Sequence, residues 1–168
     1  MKRVKLLSFL AVTVFLTASL GIAANPEFGH RNEMSHLGVF KAKLTGKEEI
    51  PATETKATGE AAFKLSEDGA KIFYNLKLQD IENVNAAHIH IGKRGGEGSV
   101  VVGLFAGPTK EGKFSGVLAR GAITELKLVG PLAGKTISDL VALLKSGEAY
   151  VNVHTDRYPT GEIRGQIK

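Results

Sequence analysis

The run Lys71-Ile72-Phe73-Tyr74-Asn75-Leu76-Lys77-Leu78 alternates in character, with Ile72, Tyr74, Leu76 and Leu78 on one parity and Lys71, Phe73, Asn75 and Lys77 on the other. Strand side chains point to opposite faces in turn, so a period of two marks a strand with one face on a core and one face wetter. The same reading extends upstream. Phe40, Ala42 and Leu44 alternate with Lys41 and Lys43, and Ala61, Phe63 and Leu65 alternate with Glu60, Ala62 and Lys64. Asp68-Gly69, between the second and third of these runs, is a hairpin signal. Further extended runs lie at 84–91, 100–105, 114–123, 150–155 and 162–167. About eight short strands with glycine-rich connections predict an all-β, antiparallel sandwich or barrel.

One segment breaks the period. Ile137, Leu140, Val141 and Leu144 recur at helical spacing, Thr136 with Asp139 forms a capping box, and Gly147 is a stop just past the end. This predicts one short amphipathic helix near 137–145, lying across the sheet edge or barrel end in a structural role. The sequence shows no internal repeat and no low-complexity tract, and its 168 residues suit one domain.

Composition narrows the function. The chain is 43% hydrophobic and 23% charged, too apolar for disorder. It has no cysteine, which excludes disulfide staples, thiolate metal sites and cysteine nucleophiles. It has no tryptophan and only 7% aromatics, which argues against a base-stacking nucleic-acid binder.

The formal charge of +5 is weighted toward the start of the chain, because Lys2, Arg3 and Lys5 precede the apolar run Leu6–Ala18. A basic segment, an apolar segment and the small residues Gly21, Ala23 and Ala24 describe a secretory signal peptide at 1–24, cut near Ala23 or Ala24. A single membrane anchor is the competing reading, but the unbroken run is shorter than the ~20 residues a spanning helix wants. Export to the periplasm or outside the cell is therefore expected, with no membrane span after cleavage. Loss of those three charges leaves a mature chain near neutrality, which does not indicate a polyanion partner. Residues 25–38 show no period and are expected to be flexible; His30 and His36 there are read as solvated.

The residues that carry chemistry lie in two matched stretches. In Ala86-Ala87-His88-Ile89-His90-Ile91-Gly92 a strand puts His88 and His90 on one face and Ala87, Ile89 and Ile91 on the other. In Tyr150-Val151-Asn152-Val153-His154-Thr155 the valines take one face while Tyr150, Asn152 and His154 take the other. If the two strands are neighbours, three imidazoles converge. A histidine-x-histidine pair plus a distant histidine suits copper or zinc and leaves a coordination position open. The plainer account is three histidines hydrogen-bonded at a polar end of the sandwich.

Pro159 to Gly161 read as a turn into a last strand on which Glu162, Arg164 and Gln166 share a face. Asn152, Asp156, Glu162 and Arg164 are the candidates for orienting an imidazole, and a cross-strand ion pair between a carboxylate and Arg164 is the plainer alternative. Gly92-Lys93-Arg94-Gly95-Gly96-Glu97-Gly98 matches no phosphate-binding motif and precedes a strand; it reads as a flexible hairpin loop beside the histidines. No Gly-x-Ser-x-Gly elbow is present, and no carboxylate pair for glycosidic chemistry stands out.

Several of these stretches occur in an order that resembles a CHRD domain. They are Ala87-His88-Ile89-His90-x-Gly92, Gly98-x-Val100-Val101, Ala149 to Thr155, and Pro159-x-Gly161-Glu162-Ile163-Arg164-Gly165. Leu44-x-Gly46-x-Glu48-Glu49-x-Pro51 and Thr58-Gly59-x-Ala61 fit as well, so the resemblance spans 39–168. It implies a Greek-key-like β-sandwich or barrel, immunoglobulin- or superoxide-dismutase-like, of the type found in exported bacterial proteins. Copper–zinc superoxide dismutases place a histidine-x-histidine pair and a late histidine on copper, and His88, His90 and His154 match in type and order. The bridging histidine, the zinc loop and the cysteine pair of those enzymes have no counterpart here.

Three functions follow in order of expectation. The first is an exported binding module with a mononuclear copper, or less favourably zinc, site at His88, His90 and His154. The second is a non-catalytic domain binding an extracytoplasmic protein, without metal. A dismutase-like enzyme comes last.

Overall fold

The computed structural model describes residues 38–168. The signal peptide expected at 1–24 and the segment expected at 25–38, with His30 and His36, lie outside the described residues except for Gly38. The described residues form six strands: β1 Val39–Thr45, β2 Thr58–Leu65, β3 Ile72–Ile91, β4 Val100–Ile123, β5 Ala149–Thr155 and β6 Ile163–Gln166. They run in the order β2-β1-β6-β5-β3-β4, and β2 also pairs with β3. That extra pairing closes β1, β2, β3, β5 and β6 into a five-stranded antiparallel barrel, with β4 added outside on β3. The β1–β6 seam is the thinnest, resting on the Thr45–Arg164 pair and on reciprocal backbone bonds between Lys41 and Lys168 at 2.7 and 2.9 Å.

The all-β antiparallel expectation thus resolves to a closed barrel. The strand number differs. Runs 71–78 and 84–91 are one strand, and so are 100–105 and 114–123. Their junctions are irregular rather than broken. Asp80 and Asn83 take φ of 51° and 50°, and the β3–β4 register shifts between Leu78 and Ile81 and again between Glu82 and Val84. Aspartate and asparagine tolerate this left-handed region, so each extra residue bends the strand without ending the ladder. The bend lets one strand serve two parts of the barrel wall.

Alternation decides the core as expected. β1 runs exposed-buried through its length, with Phe40, Ala42 and Leu44 inside, and β2 places Ala61 and Phe63 beside them. Ile72, Leu76, Leu78, Ile89, Val151, Val153 and Ile163 complete the interior. Each large side chain buried there contributes on the order of 1.5–3 kcal/mol. Helix α1, Ile137–Ser146, adds Ile137, Leu140, Val141 and Leu144 to the same core. Thr136 Oγ1 accepts from the Asp139 amide at 3.3 Å, Asp139 returns the bond to the Thr136 amide at 2.8 Å, and Gly147 closes the helix at φ 68°. The capping box and the stop stand where the spacing put them.

Candidate metal centre

β5 lies between β3 and β6, and this neighbourhood assembles the site. The register sets His88 opposite Asn152 and Asn152 opposite Arg164; one step along, it sets His90 opposite Tyr150 and Tyr150 opposite Gln166. Directly paired residues share a face. The outer face of β3, β5 and β6 therefore carries His88, His90, Tyr150, Asn152, His154, Arg164 and Gln166, while Ala87, Ile89, Val151 and Val153 fill the core behind it.

His88, His90 and His154 come together as the sequence anticipated. One ring nitrogen from each lies within 4.8 Å of the other two. His88 Nδ1 and His154 Nε2 are 3.1 Å apart, and the His88 ring sits edge-on to both others, with centroids 5.8 Å from His90 and 5.0 Å from His154. The remaining ring nitrogens are held by main-chain carbonyls. His90 Nδ1 donates to Gly98 O at 2.9 Å and His154 Nδ1 donates to Pro159 O at 2.9 Å. A carbonyl only accepts, so both rings carry their proton on Nδ1 and present an Nε2 lone pair. His90 Nε2 is buried with no partner, and His154 Nε2 accepts from His88 Nδ1–H.

The electrostatics keep the cluster neutral. Burial pushes the His88 imidazole down to about 4, and the neighbouring His154 and His90 push the same way. Burial also lowers His90 and His154, with Arg164 adding to the effect on His90 and the carbonyl bonds opposing it. All three rings are neutral at neutral pH; His90 and His154 turn an open Nε2 lone pair to the site, whereas the His88 Nδ1 facing them carries its proton.

The four residues expected to orient the imidazoles do other work; none hydrogen-bonds to a ring. Asp156 accepts from the Asn85 side chain at 2.9 Å. Glu162 is buried and accepts from Thr55 Oγ1 at 2.6 Å and Thr155 Oγ1 at 2.7 Å, pinning the β1–β2 connection to β5. Asn152 donates to Glu49, a buried carboxyl whose pKa burial raises to about 7 despite the opposing Arg164 charge. Arg164 forms no ion pair among the described residues. Its guanidinium lies 3.4 Å from the Tyr150 ring centroid and donates to Gly96 O. Tyr150 in turn stacks on His90, with centroids 4.9 Å apart and planes 10° from parallel.

Sequence reasoning missed that stack, Glu49 and the two carbonyls. The signals present were indirect: Gly161 at φ 139°, where a Cβ would come within 2.2 Å of the Asn152 amide, and Gly98, where one would meet Ile91 O. Gly161 lets the β5–β6 turn lie close on β5 and Gly98 lets the 92–99 loop close on the end of β3, and those loops deliver Pro159 O and Gly98 O. The loop at 92–99 does border the site; Arg94 and Lys93 pair with Glu48 and Glu148 along its rim.

Comparison with known proteins adds one assignment. No curated protein and no solved structure matches the chain. Residues 40–167, spanning every strand and the three histidines, match the CHRD domain, and the chain therefore belongs to the CHRD domain family.

Proposed function

We propose that this CHRD domain is an exported metal-binding module in which His88, His90 and His154 hold one copper ion. The observation that carries the reading is the pairing of donors. Two Nε2 lone pairs are aimed by carbonyl bonds on the opposite nitrogen, and a third nitrogen, His88 Nδ1, stands 3.1 Å from one of them. Nitrogens bound to one ion at ~2.0–2.1 Å are about 3.3–3.6 Å apart; the His88–His154 pair at 3.1 Å is already near that spacing, and the remaining separations are all within 4.8 Å. The carbonyl bonds fix ring orientation and raise donor strength. Holding an ion through Nδ1 would require His88 in its Nε2–H tautomer.

The donor set favours copper over zinc. Imidazole suits both ions, and three neutral nitrogens without a carboxylate follow the general order that puts Cu(II) above Zn(II). Three protein ligands leave a position beside the site for water or another ligand. A wider catalytic role has less support than binding, because the groups beyond the rings are engaged in structure. Export rests on the basic and apolar N-terminal pattern at 1–24 together with the extracellular character of the family. Among the described residues no helix is long and apolar enough to cross a membrane.

The test is calorimetric titration of copper and of zinc into the protein and into a His88→Ala/His90→Ala variant. Stoichiometric binding that the variant loses is expected, tighter for copper. Weak, equal binding by both proteins would return the histidines to a structural role and leave a protein-interaction module as the better reading; tighter zinc binding would reassign the metal.

A further inference from the structure

The outer face of β1, β2 and the first half of β3 contrasts with the histidine face in its charge. The registers place its side chains in rows across the strands. Val39, Lys64, Phe73 and Ala122 form one row; Lys41, Ala62, Asn75 and Arg120 form the next; Lys43, Glu60, Lys77 and Val117 form a third. Five cations thus meet one carboxylate, Glu60, on a single sheet face, although basic and acidic side chains nearly balance over residues 39–168. Lys41, Lys43, Lys64, Lys77 and Arg120 are all exposed, and no ion pair among the described residues engages them. The net charge of these strand residues thus exceeds that of residues 39–168 as a whole, and the remainder of the domain is slightly acidic.

Apolar side chains are set among these charges. Val39 is 43% exposed, Phe73 47% and Val117 39%, which accounts for half of the large hydrophobic residues left exposed in the described chain. Strands lie ~4.8 Å apart and every second residue ~6.8 Å along. The cations therefore spread over an area about four strands wide rather than along a groove. A groove tracks one polymer chain, whereas a broad face with interspersed apolar groups matches a plane of anionic headgroups over an apolar layer.

From this we infer that the β1–β2–β3 face is a docking surface for an anionic phospholipid bilayer, with Lys41, Lys43, Lys64, Lys77 and Arg120 on the headgroups and Phe73 at the interface. The surface is separate from the histidine site and does not depend on metal. Held this way, the domain lies flat on the bilayer with the β5 face turned away from it.

The test is cosedimentation of the full chain, as purified from an exporting host, with phosphatidylcholine vesicles and with vesicles that also contain phosphatidylglycerol. The preference between the two vesicle types is the readout, so any apolar contribution from residues 6–18 cancels. A variant with Lys41, Lys43, Lys64 and Lys77 each changed to Gln is compared with one in which Lys56, Lys110, Lys135 and Lys145 are changed to Gln. All eight positions are exposed, so both variants retain the core. The first should lose the anionic preference by about fivefold per lysine, and the second should lose far less. Equal sedimentation with both vesicle types, or equal losses in the two variants, would overturn the inference. Tighter binding to soluble polyphosphate than to vesicles of equal phosphate content would overturn it in favour of a polyanionic polymer.

Discussion

The barrel has two outer faces built on the same alternation and finished in opposite ways. On β1 and β2 every second side chain enters water: Lys41, Lys43, Glu60 and Lys64 are exposed and make no ion pair among the described residues. On β5 and β6 the outward residues are covered. Asn152 and Arg164 are 3% exposed and Tyr150 4%, nearly as buried as the core residues between them. The difference lies in the connections. The β1–β2 segment brings Glu49 onto β5 and Thr53 and Thr55 onto Glu162 just before β6, the 92–99 loop brings Gly96 and Gly98, and the β5–β6 turn brings Pro159. A period of two says which side chains leave the core; it does not say whether they reach water. A polar face under loops must satisfy its donors and acceptors internally, and that demand produces the oriented imidazoles.

If the β5 face is a packed polar layer, the sharpest blow comes from Gly161. A Cβ there would crowd the Asn152 amide and Glu49 Oε1, and the φ of 139° resists any side chain. Gly161→Ala should cost about 2–4 kcal/mol of unfolding free energy in urea. An unchanged midpoint would mean the layer is loose and the contrast with β1–β2 is overstated.

Glu49 gives a pH-dependent version of the same test. Its native pKa of about 7 stands above the 4.5 of an unburied glutamate. Between those values, rising pH ionises the unfolded chain while the native carboxyl keeps its proton, so the group's stabilising contribution is full below pH 4.5 and is lost by about pH 7. The depressed histidines act in the opposite sense, withdrawing stability as pH falls below 6.5. Glu49→Gln isolates the carboxyl. Its stability relative to the parent should rise by roughly 2–3 kcal/mol from pH 4.5 to 7.5 in denaturant titrations. A constant difference would show that water reaches the carboxyl.

A smaller loss is expected at Arg164. Arg164→Met removes the cation from Tyr150 and leaves Gly96 O without its donor, costing about 1–2 kcal/mol. It should also raise the Glu49 pKa further, because the guanidinium is the main charge holding it down; a carboxyl NMR titration reads that shift. An unmoved Glu49 would uncouple the two buried groups. The smallest effect belongs to the open face, where Lys43→Gln should change stability by less than about 0.5 kcal/mol. A larger loss would mean that β1 makes contacts its exposure does not suggest.

Much of this was legible from local pattern. The period of two selected Phe40, Ala42, Leu44, Ile72, Leu76 and Leu78 for the core, and Thr136, Asp139 and Gly147 bounded the helix. Parity alone put His88 with His90 and His154 with Tyr150. The strand number differs because the alternation lapses between 78 and 84, where Asp80 and Asn83 bend a strand that does not end. The groups that hold two of the rings are main-chain carbonyls, Gly98 O and Pro159 O, which no residue type advertises.

Parity, capping and turn chemistry act within a few residues, so the chain's own pattern settles which segments are extended, which face each histidine takes and where the helix stops. Whether those faces meet depends on strand order, which places β5 between β3 and β6 and brings His154 to His88 across 66 positions of sequence. Whether they are then roofed depends on three loops folding onto that side, and none of the described loops covers β1–β2. The Arg164–Tyr150–His90 stack and the Glu49–Asn152 pair belong to this second kind. Each joins groups whose proximity is a property of the closed barrel, where long-range packing repays the entropy of bringing distant segments together.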